Sequence, residues 1–191
     1  MMATDTMVEE HVVRDTETQR RAAIRSDQEL LAAVASRDKA AFQALFERHA
    51  DRVFRFAMSI VRNAHLAEEV MQETMIAVWR SARRFEGRSK ASTWILGIAR
   101  NLAHNLLRKE KRGNRMPEIK TTAPDPADGA EREVRVQRAM EALTDAQREV
   151  LHLVYYEELG VREAAAVLGI PEGTVKSRMF HARKTLAKEL T

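Results

Sequence analysis

The residues of this chain best able to do chemistry are cations, and they fall into two clusters. Ten Lys and Arg residues lie between Arg83 and Arg115, against two acidic residues. Between Pro171 and Thr191 there are five basic residues and two acidic ones. A dense row of positive charge binds phosphate groups, so two separate clusters predict two contacts with a polyanion such as a nucleic acid.

Composition limits which elements can carry these clusters. The chain has 191 residues, of which 45% are hydrophobic and only 5% aromatic, and its net charge is +4. This balance favours helices over sheets, because β-structure depends on aromatic and β-branched residues. Cysteine is absent, which excludes a disulfide framework and suggests a reducing compartment. No apolar run approaches the about 18 residues of a membrane span, and the charged N-terminus lacks an export signal. We therefore expect a cytoplasmic protein without membrane insertion.

The chain divides into two helical segments on either side of a proline-rich stretch. Residues 1–25 are polar and are predicted to form a flexible N-terminal tail. Residues 113–130 contain three of the four prolines and are predicted to form a linker. The predicted fold is all-α, with two small helical domains, residues 26–112 and 131–191, joined by a flexible linker.

Capping signals and apolar spacing predict the individual helices. Ser26 with Glu29, and Thr144 with Gln147, fit capping boxes that open helices. The predicted helices of the first domain begin after Ser26, at Asp38 or Lys39, at Ala64, and at Ser92 or Thr93, and the third of them runs to Arg84. In the second domain we predict helices from about Glu131, from Thr144 through Val154, over Val161–Leu168, and from Pro171 to about Leu190.

Residues 161–186 have the pattern of a helix-turn-helix, VREAAAVLGIPEGTVKSRMFHARKTL. Ala165 is small where two helices would cross, and Gly169 permits the left-handed turn that ends the first helix. The second helix would enter the major groove of DNA. The residues that it would offer to DNA are Glu172, Thr174, Lys176, Ser177, Arg178, His181 and Lys184. On pattern alone, an ordinary helical hairpin with a solvated basic face is the alternative.

The same segment resembles a known family. GIPEGTVKSR is similar to region four of extracytoplasmic-function (ECF) sigma factors, and LTDAQREV at residues 143–150 is similar to their LPxxxREV-type segment. The resemblance implies that this domain reads the minus-thirty-five promoter element and contacts the β flap of RNA polymerase. His181 stands where the family usually has Arg, and Gly160-Val161 replaces a Ser-Tyr pair.

A second set of residues, in the first domain, forms one helical stripe. Glu69, Gln72, Glu73 and Ile76 lie at i, i+3, i+4 and i+7. On the residues alone, a solvated face is the simpler interpretation. However, residues 67–79, AEEVMQETMIAVW, resemble sigma region two, with its AEDLVQExFxxxW pattern. The resemblance implies that the stripe docks on the β′ clamp helices of core RNA polymerase.

Residues 85–103 resemble the FxxWLxxIARN segment of the family, which implies contact with the opened minus-ten element. Arg100, His104, Arg108 and Lys111 recur every three or four residues, as a track for phosphates would. Trp94 fits either core packing or a base wedge. The candidate minus-ten residues are Arg88, Ser89, Lys90, Arg100, Asn101, His104, Arg108 and Lys111.

The resemblance as a whole implies an ECF sigma factor, which directs core RNA polymerase to promoter DNA and initiates transcription in a stress or envelope response. It also implies an anti-sigma factor as a partner. We predict no enzymatic activity, no catalytic residues, no cofactor and no metal site, since the six histidines are scattered.

Two other functions remain as alternatives. A stand-alone helix-turn-helix transcriptional regulator would need a dimer interface and tight DNA binding of its own, and no heptad seam or effector domain is recognisable. An enzyme acting on nucleic acid would need a carboxylate cluster or an activated nucleophile, and none stands out.

Overall fold

The computed structural model describes residues 25–112, 136 and 138–190, and all regular structure within them is helical. Apart from Arg25, the predicted tail lies outside these residues, as do the predicted linker and the start of the helix expected from Glu131. The exact domain bounds therefore stay predictions. The helices are α1 (Asp27–Ala35), α2 (Lys39–Val61), α3 (Ala64–Ser81), a 3-10 turn (Ala82–Arg84), α4 (Ala91–Arg112), α5 (Asp145–Leu151), a π-helical turn (His152–Tyr156), α6 (Val161–Leu168) and α7 (Glu172–Leu190).

Side-chain caps set the starts of several helices. Both predicted capping boxes are confirmed, with Ser26 and Thr144 accepting hydrogen bonds from the amides three residues later. Asp38 caps α2 and Asn63 caps α3 in the same way. Each cap satisfies an amide that the helix itself leaves unpaired, which typically contributes about 1 kcal/mol.

Helices α1 to α4 form the first domain, with their apolar faces turned inward. The core-facing side of α3 carries Val70, Thr74 and Val78, which are all buried. The Thr74 hydroxyl donates to the Val70 carbonyl at 2.6 Å, so its burial leaves no unpaired polar group. The opposite face of α3 is thereby turned toward solvent.

The predicted helix-turn-helix is confirmed in the second domain. Gly169 ends α6 with a φ of 63°, the left-handed conformation that favours glycine. Val175 of α7 is fully buried and Ile170 packs against the same core. The turn therefore fixes α7 across α6 and leaves the far side of α7 exposed.

The segment after α5 differs from the predicted continuous α-helix. The α-helical hydrogen bonds stop at Leu151, and the Glu157 amide donates to the His152 carbonyl at 3.1 Å, five residues back. This wider π-type turn holds the His152 ring 5.2 Å from that of Tyr156 and 5.5 Å from that of Phe56. The irregular turn thus carries residues that meet α2 of the first domain.

The predicted cap of α4 at Ser92 or Thr93 is wrong. The helix already begins at Ala91, so both residues lie inside its first turn. Thr93 is buried, and its hydroxyl has no hydrogen-bond partner among the described residues. The end of α3 also differs slightly, because residues 82–84 tighten into a 3-10 turn.

The two domains pack directly against each other. Helix α4 contacts α6, and α2 contacts both α5 and the π-helical turn. One continuous cluster of buried side chains joins Val53 and Phe56 of α2 to Leu153 and Leu168 of the second domain. A single apolar core therefore spans the domain boundary.

Replacing Asp27 with Asn is expected to lower the free energy of unfolding by about 1 kcal/mol at neutral pH, because solvent screens the contacts of this partly exposed carboxylate. A hydrogen bond from His49 and contacts with Arg48 lower the Asp27 pKa from 3.8 to about 2. The stabilisation is therefore complete above pH 3.8 and is lost as the pH falls toward 2. Denaturant unfolding from neutral to acid pH measures it, with exposed Asp51→Asn as the matched control. A deficit that persists unchanged at pH 2 contradicts this assignment.

Candidate nucleic-acid interface

The predicted stripe on α3 is fully displayed at the surface. Glu69, Gln72, Glu73 and Ile76 are all exposed, opposite the buried face of the helix. Ile76 is the apolar member and leaves 39% of its surface accessible. An exposed large aliphatic residue within a polar stripe suits an anchor for another protein better than a solvated face.

A shallow recess lies on each side of this stripe. One contains Glu69 and Glu73 above Leu102 and Leu106 of α4, with Lys109 at its edge. The other has an apolar floor with a basic rim. Its lining residues are Phe42, Ile76, Trp79, Arg37, Lys39 and Arg80.

Trp79 forms the floor of the second recess. The Phe42 ring meets it edge-on at 5.2 Å. The Arg37 guanidinium lies 5.3 Å from the indole centre and donates to the Trp79 carbonyl at 3.2 Å. The sequence pattern gave no sign of this recess. Its residues come from three successive segments, and only the fold brings them together.

The loop before α4 presents part of the predicted minus-ten set. Gly87 turns the chain with a φ of 70°, and Arg88 beyond it is exposed and paired with Glu86. Ser89 is half-buried. Lys90 extends instead toward the second domain, where its Nζ lies 2.9 Å from Glu163 Oε1.

The rest of the minus-ten set lies on α4, where Arg100, His104, Arg108 and Lys111 recur along one side of the helix and Asn101 lies beside them. Asn101, Arg108 and Lys111 are exposed. Arg100 and His104 are half-buried, because both point at one carboxylate of the second domain. The candidate cations are thus split between solvent and the domain interface.

That carboxylate is Glu149 of α5. Arg100 Nε donates to Glu149 Oε2 and His104 Nε2 to Oε1, each at 2.8 Å. Glu149 is only 3% exposed. Burial alone would raise its pKa, but the hydrogen bonds from His104 and Arg100 outweigh burial and keep the pKa below its ordinary value. Glu149 is therefore a buried, charged group that depends on cations of the other domain.

Glu157 repeats this arrangement at the end of the π-helical turn. Arg52 of α2 pairs with its carboxylate and also donates to its carbonyl at 2.9 Å. His152 Nε2 lies 3.2 Å from the second carboxylate oxygen. Burial would raise the Glu157 pKa, but the bonds from His152 and Arg52 lower it overall. Nothing in the sequence pattern marked these acids, because their partners in the first domain are far away along the chain.

Helix α7 displays most of the predicted minus-thirty-five residues. Glu172, Lys176, Ser177, His181 and Lys184 are exposed. Thr174 and Arg178 are half-buried, because they lie next to the packed face formed by Val175 and Ala182.

Sequence reasoning missed the residue at the centre of this exposed face. Phe180 is three residues after Ser177 and four before Lys184, so it shares their side of the helix. Its ring is 59% exposed and lies 5.4 Å from that of His181. Phenylalanine is a residue type that contacts the methyl group of thymine in the major groove. The spacing of Phe180 from Ser177 and Lys184 was the sequence signal that could have identified it.

Metal binding and membrane insertion are two further properties on which the described helices bear. Among residues 25–112, 136 and 138–190, no group of three or more acidic or histidine side chains is arranged to hold a metal ion. The helices described there also include none long and apolar enough to cross a membrane.

Comparison with protein families matches both halves of the chain. The family model described as Sigma-70 region 2 matches residues 45–113, which cover α3, the loop and α4. The model described as Sigma-70, region 4 matches residues 133–186, which include the helix-turn-helix. The two matches fall on the two sides of the domain interface.

Individual proteins show the same similarity over most of the chain. The ECF RNA polymerase sigma factor RpoE of Cereibacter sphaeroides is 37% identical over 165 residues, covering 81% of this chain and 89% of its own. The structure of CnrH with the cytosolic domain of CnrY matches with a TM-score of 0.67 at 26% identity, covering 87% of this chain and 97% of CnrH. The sigma factor RpoE of Bartonella quintana, solved with the anti-sigma factor NepR, matches with a TM-score of 0.63 at 25% identity, covering 78% and 96% of the two chains.

Proposed function

Because the chain belongs to the ECF family of RNA polymerase sigma factors, we propose a division of labour among three of its faces. The stripe of α3 binds core polymerase. The loop at residues 88–90 and the basic face of α4 bind the minus-ten element, and α7 reads the minus-thirty-five element. The observation that supports this proposal most is that the three faces follow one another along the chain in the order of sigma regions two and four.

The α3 stripe suits a protein partner rather than DNA. Glu69 and Glu73 would repel phosphate groups, whereas Ile76 and the neighbouring Trp79 recess offer an apolar centre with charged surroundings. Interfaces of this kind concentrate their binding energy in a few apolar and aromatic anchors. The β′ clamp helices of the polymerase are the partner that the family resemblance indicates.

The face of α4 suits a single strand. Arg100, Arg108 and Lys111 supply cations at helical spacing, and Asn101 supplies a polar edge beside them. Melting a promoter requires that unstacked bases be held by polar groups and the backbone by cations. Trp94 packs against Phe85 at 5.4 Å, which supports a structural role for this indole.

The exposed face of α7 suits duplex DNA. Ser177 and Phe180 occupy its centre, with Lys176 and Lys184 beside them. In helix-turn-helix proteins such central side chains meet base edges, while flanking cations hold phosphates. Core polymerase would hold both domains at once, so that each weak DNA contact becomes effectively intramolecular.

The proposal extends to partners and to what the chain does not do. One solved relative is a sigma factor in complex with an anti-sigma factor, which supports an anti-sigma partner for this chain as well. The chain is proposed to have no catalytic activity of its own, since the polymerase makes the RNA. Because it would act together with RNA polymerase, the chain is proposed to function in the cytoplasm.

Run-off transcription with core RNA polymerase tests the function. Core enzyme with the chain is expected to start RNA at defined promoters in genomic DNA of the source organism, and core enzyme alone is expected not to. A variant in which Arg108 and Lys111 are replaced with Gln tests the role of α4. It should reduce promoter opening while its binding to core enzyme is retained. Absence of promoter-specific stimulation by the unmodified chain rejects the proposal, and tight promoter binding without polymerase favours a stand-alone regulator.

A further inference from the structure

The recess beside Trp79 combines an apolar floor with a positively charged rim. It is lined by three apolar and three cationic side chains, Phe42, Ile76, Trp79, Arg37, Lys39 and Arg80. The three cations are exposed, and no acid is among the described residues that line the recess. An acidic segment that also carries apolar side chains is therefore the occupant that this surface fits best.

The floor of the recess is held in place by contacts within the first domain. The Phe42 ring meets the Trp79 indole edge-on at 5.2 Å. Arg37 donates to the Trp79 carbonyl at 3.2 Å while its guanidinium lies over the indole ring. A segment that docks here would thus meet a preformed surface and would not have to order it first.

The described chain begins close to this recess. The Arg25 guanidinium lies 3.6 Å from the Asp38 carboxylate. Asp38 stands between Arg37 and Lys39, which both line the recess. A connection of twelve residues, from residue 13 to residue 25, spans about 20 Å as a random coil and at most about 40 Å when extended. Residues before position 14 can therefore reach the recess.

The first thirteen residues match the recess in charge and in apolar content. They contain three acids, Asp5, Glu9 and Glu10, and no Lys or Arg. Residues 14–24 differ, because they contain three Arg against two acids. Within the acidic part, residues 7–13 read MVEEHVV, so that four apolar side chains flank Glu9 and Glu10. These residues complement both the cationic rim and the apolar floor.

We infer that residues 7–13 occupy the recess beside Trp79 in the free chain, with Glu9 and Glu10 against its cationic rim. Attachment to the same chain gives the segment an effective concentration of about 1 mM. A segment whose own affinity is only about 0.2 mM would therefore fill the recess most of the time.

Docking of this segment has a consequence for binding to core polymerase. Ile76 belongs both to the recess and to the α3 stripe that the proposed function assigns to the polymerase. The segment and the polymerase would then compete for one surface. This competition rests on the proposed function, whereas the docking itself does not.

Acrylamide quenching of Trp79 fluorescence measures occupation of the recess. The chain has two tryptophans, and Trp94→Phe leaves Trp79 alone while it keeps an aromatic ring against Phe85. In this background, E9K/E10K is expected to raise the quenching constant about twofold, because the rim repels the new lysines and the indole becomes accessible. The matched control D15K/E17K makes the same charge change in the same part of the chain, outside residues 7–13, and should leave the constant unchanged.

Exchange of the charges tests whether the segment touches the rim. K39E/R80E is expected to raise the quenching constant as E9K/E10K does, because the rim then repels Glu9 and Glu10. Combining K39E/R80E with E9K/E10K should restore most of the protection of Trp79. Circular dichroism checks the helical content of each variant. Should Trp94→Phe lower it, fluorine NMR of 5-fluorotryptophan in the chain with both indoles replaces the quenching measurement, and the resonance lost in Trp79→Phe identifies Trp79.

Affinity for core polymerase is the second readout. In the chain with both tryptophans, E9K/E10K is expected to bind core enzyme about fivefold more tightly, because Ile76 is no longer covered. D15K/E17K should bind with the affinity of the unmodified chain. Fluorescence anisotropy of the labelled chain titrated with core enzyme gives both values.

The outcomes separate docking from function. Unchanged quenching in E9K/E10K, an equal rise in D15K/E17K, or no restoration in the combined variant overturns the inference. Protection of Trp79 that grows with protein concentration also overturns it, because a second copy would then supply the segment. A rise in quenching without a gain in affinity overturns the competition for Ile76. If neither the unmodified chain nor E9K/E10K binds core enzyme, the proposed function is rejected, and the quenching result still decides the docking.

Discussion

Replacement of Ile76 with glutamate is expected to weaken binding to core RNA polymerase by about a hundredfold. Ile76 is the exposed apolar member of the α3 stripe and also lines the recess beside Trp79. Truncating a central anchor and burying an unpaired carboxylate in its place costs about 3 kcal/mol, which corresponds to this loss of affinity. Fluorescence anisotropy of the labelled chain titrated with core enzyme measures the effect.

The control for this prediction must show that the fold is intact. Leu190→Glu makes a similar change at an aliphatic residue of similar exposure, 43% against 39%, at the end of α7. It should leave the affinity for core enzyme within about twofold. Wild-type affinity in a folded Ile76→Glu variant would remove polymerase binding from the stripe.

Replacement of Ser177 with glutamate is expected to abolish dependence on the minus-thirty-five element and reduce transcription from such promoters by about a hundredfold. Ser177 is exposed near the centre of the α7 face, between Lys176 and Phe180. A carboxylate there faces phosphates and base acceptors in the groove, and a repulsion of about 3 kcal/mol accounts for the loss. Run-off yield on duplex promoters measures it.

The matched control introduces the same residue away from α7. Ala142 lies in the exposed turn before α5, and Ala142→Glu should keep transcription within about twofold of the unmodified chain. The Ser177→Glu variant should also retain its affinity for core enzyme, because the α3 stripe is unchanged. Full promoter activity in Ser177→Glu would mean that α7 does not face the DNA.

Local signals in the sequence were enough to predict much of the fold. The capping boxes at Ser26 and Thr144 depend on residues three apart, so they can be recognised without knowing the rest of the chain. The same holds for Gly169, whose left-handed conformation follows from the turn that it must make. The periodic stripe of α3 correctly separated its buried face from its exposed one.

Most of the features that sequence reasoning missed depend on distant contacts. Glu149 is separated from Arg100 by 49 residues, and only packing of the domains brings them together. Thr93 looked like a helix cap because Thr is a common one, but its burial inside the first turn reflects contacts with the core. Phe180 needed no distant contact, and its spacing from Ser177 and Lys184 was sufficient to place it on the exposed face.

The packing of Glu149 and Glu163 onto α4 and its loop has a consequence for how the chain moves through a cell. Its net charge is fixed by sequence, but the charge that it shows to nucleic acid is reduced where Glu163 and Glu149 pair with Lys90 and Arg100. Non-specific attraction to chromosomal DNA grows with each accessible Lys or Arg. With these two cations paired inside the chain, the packed arrangement should spend less time on random genomic sites.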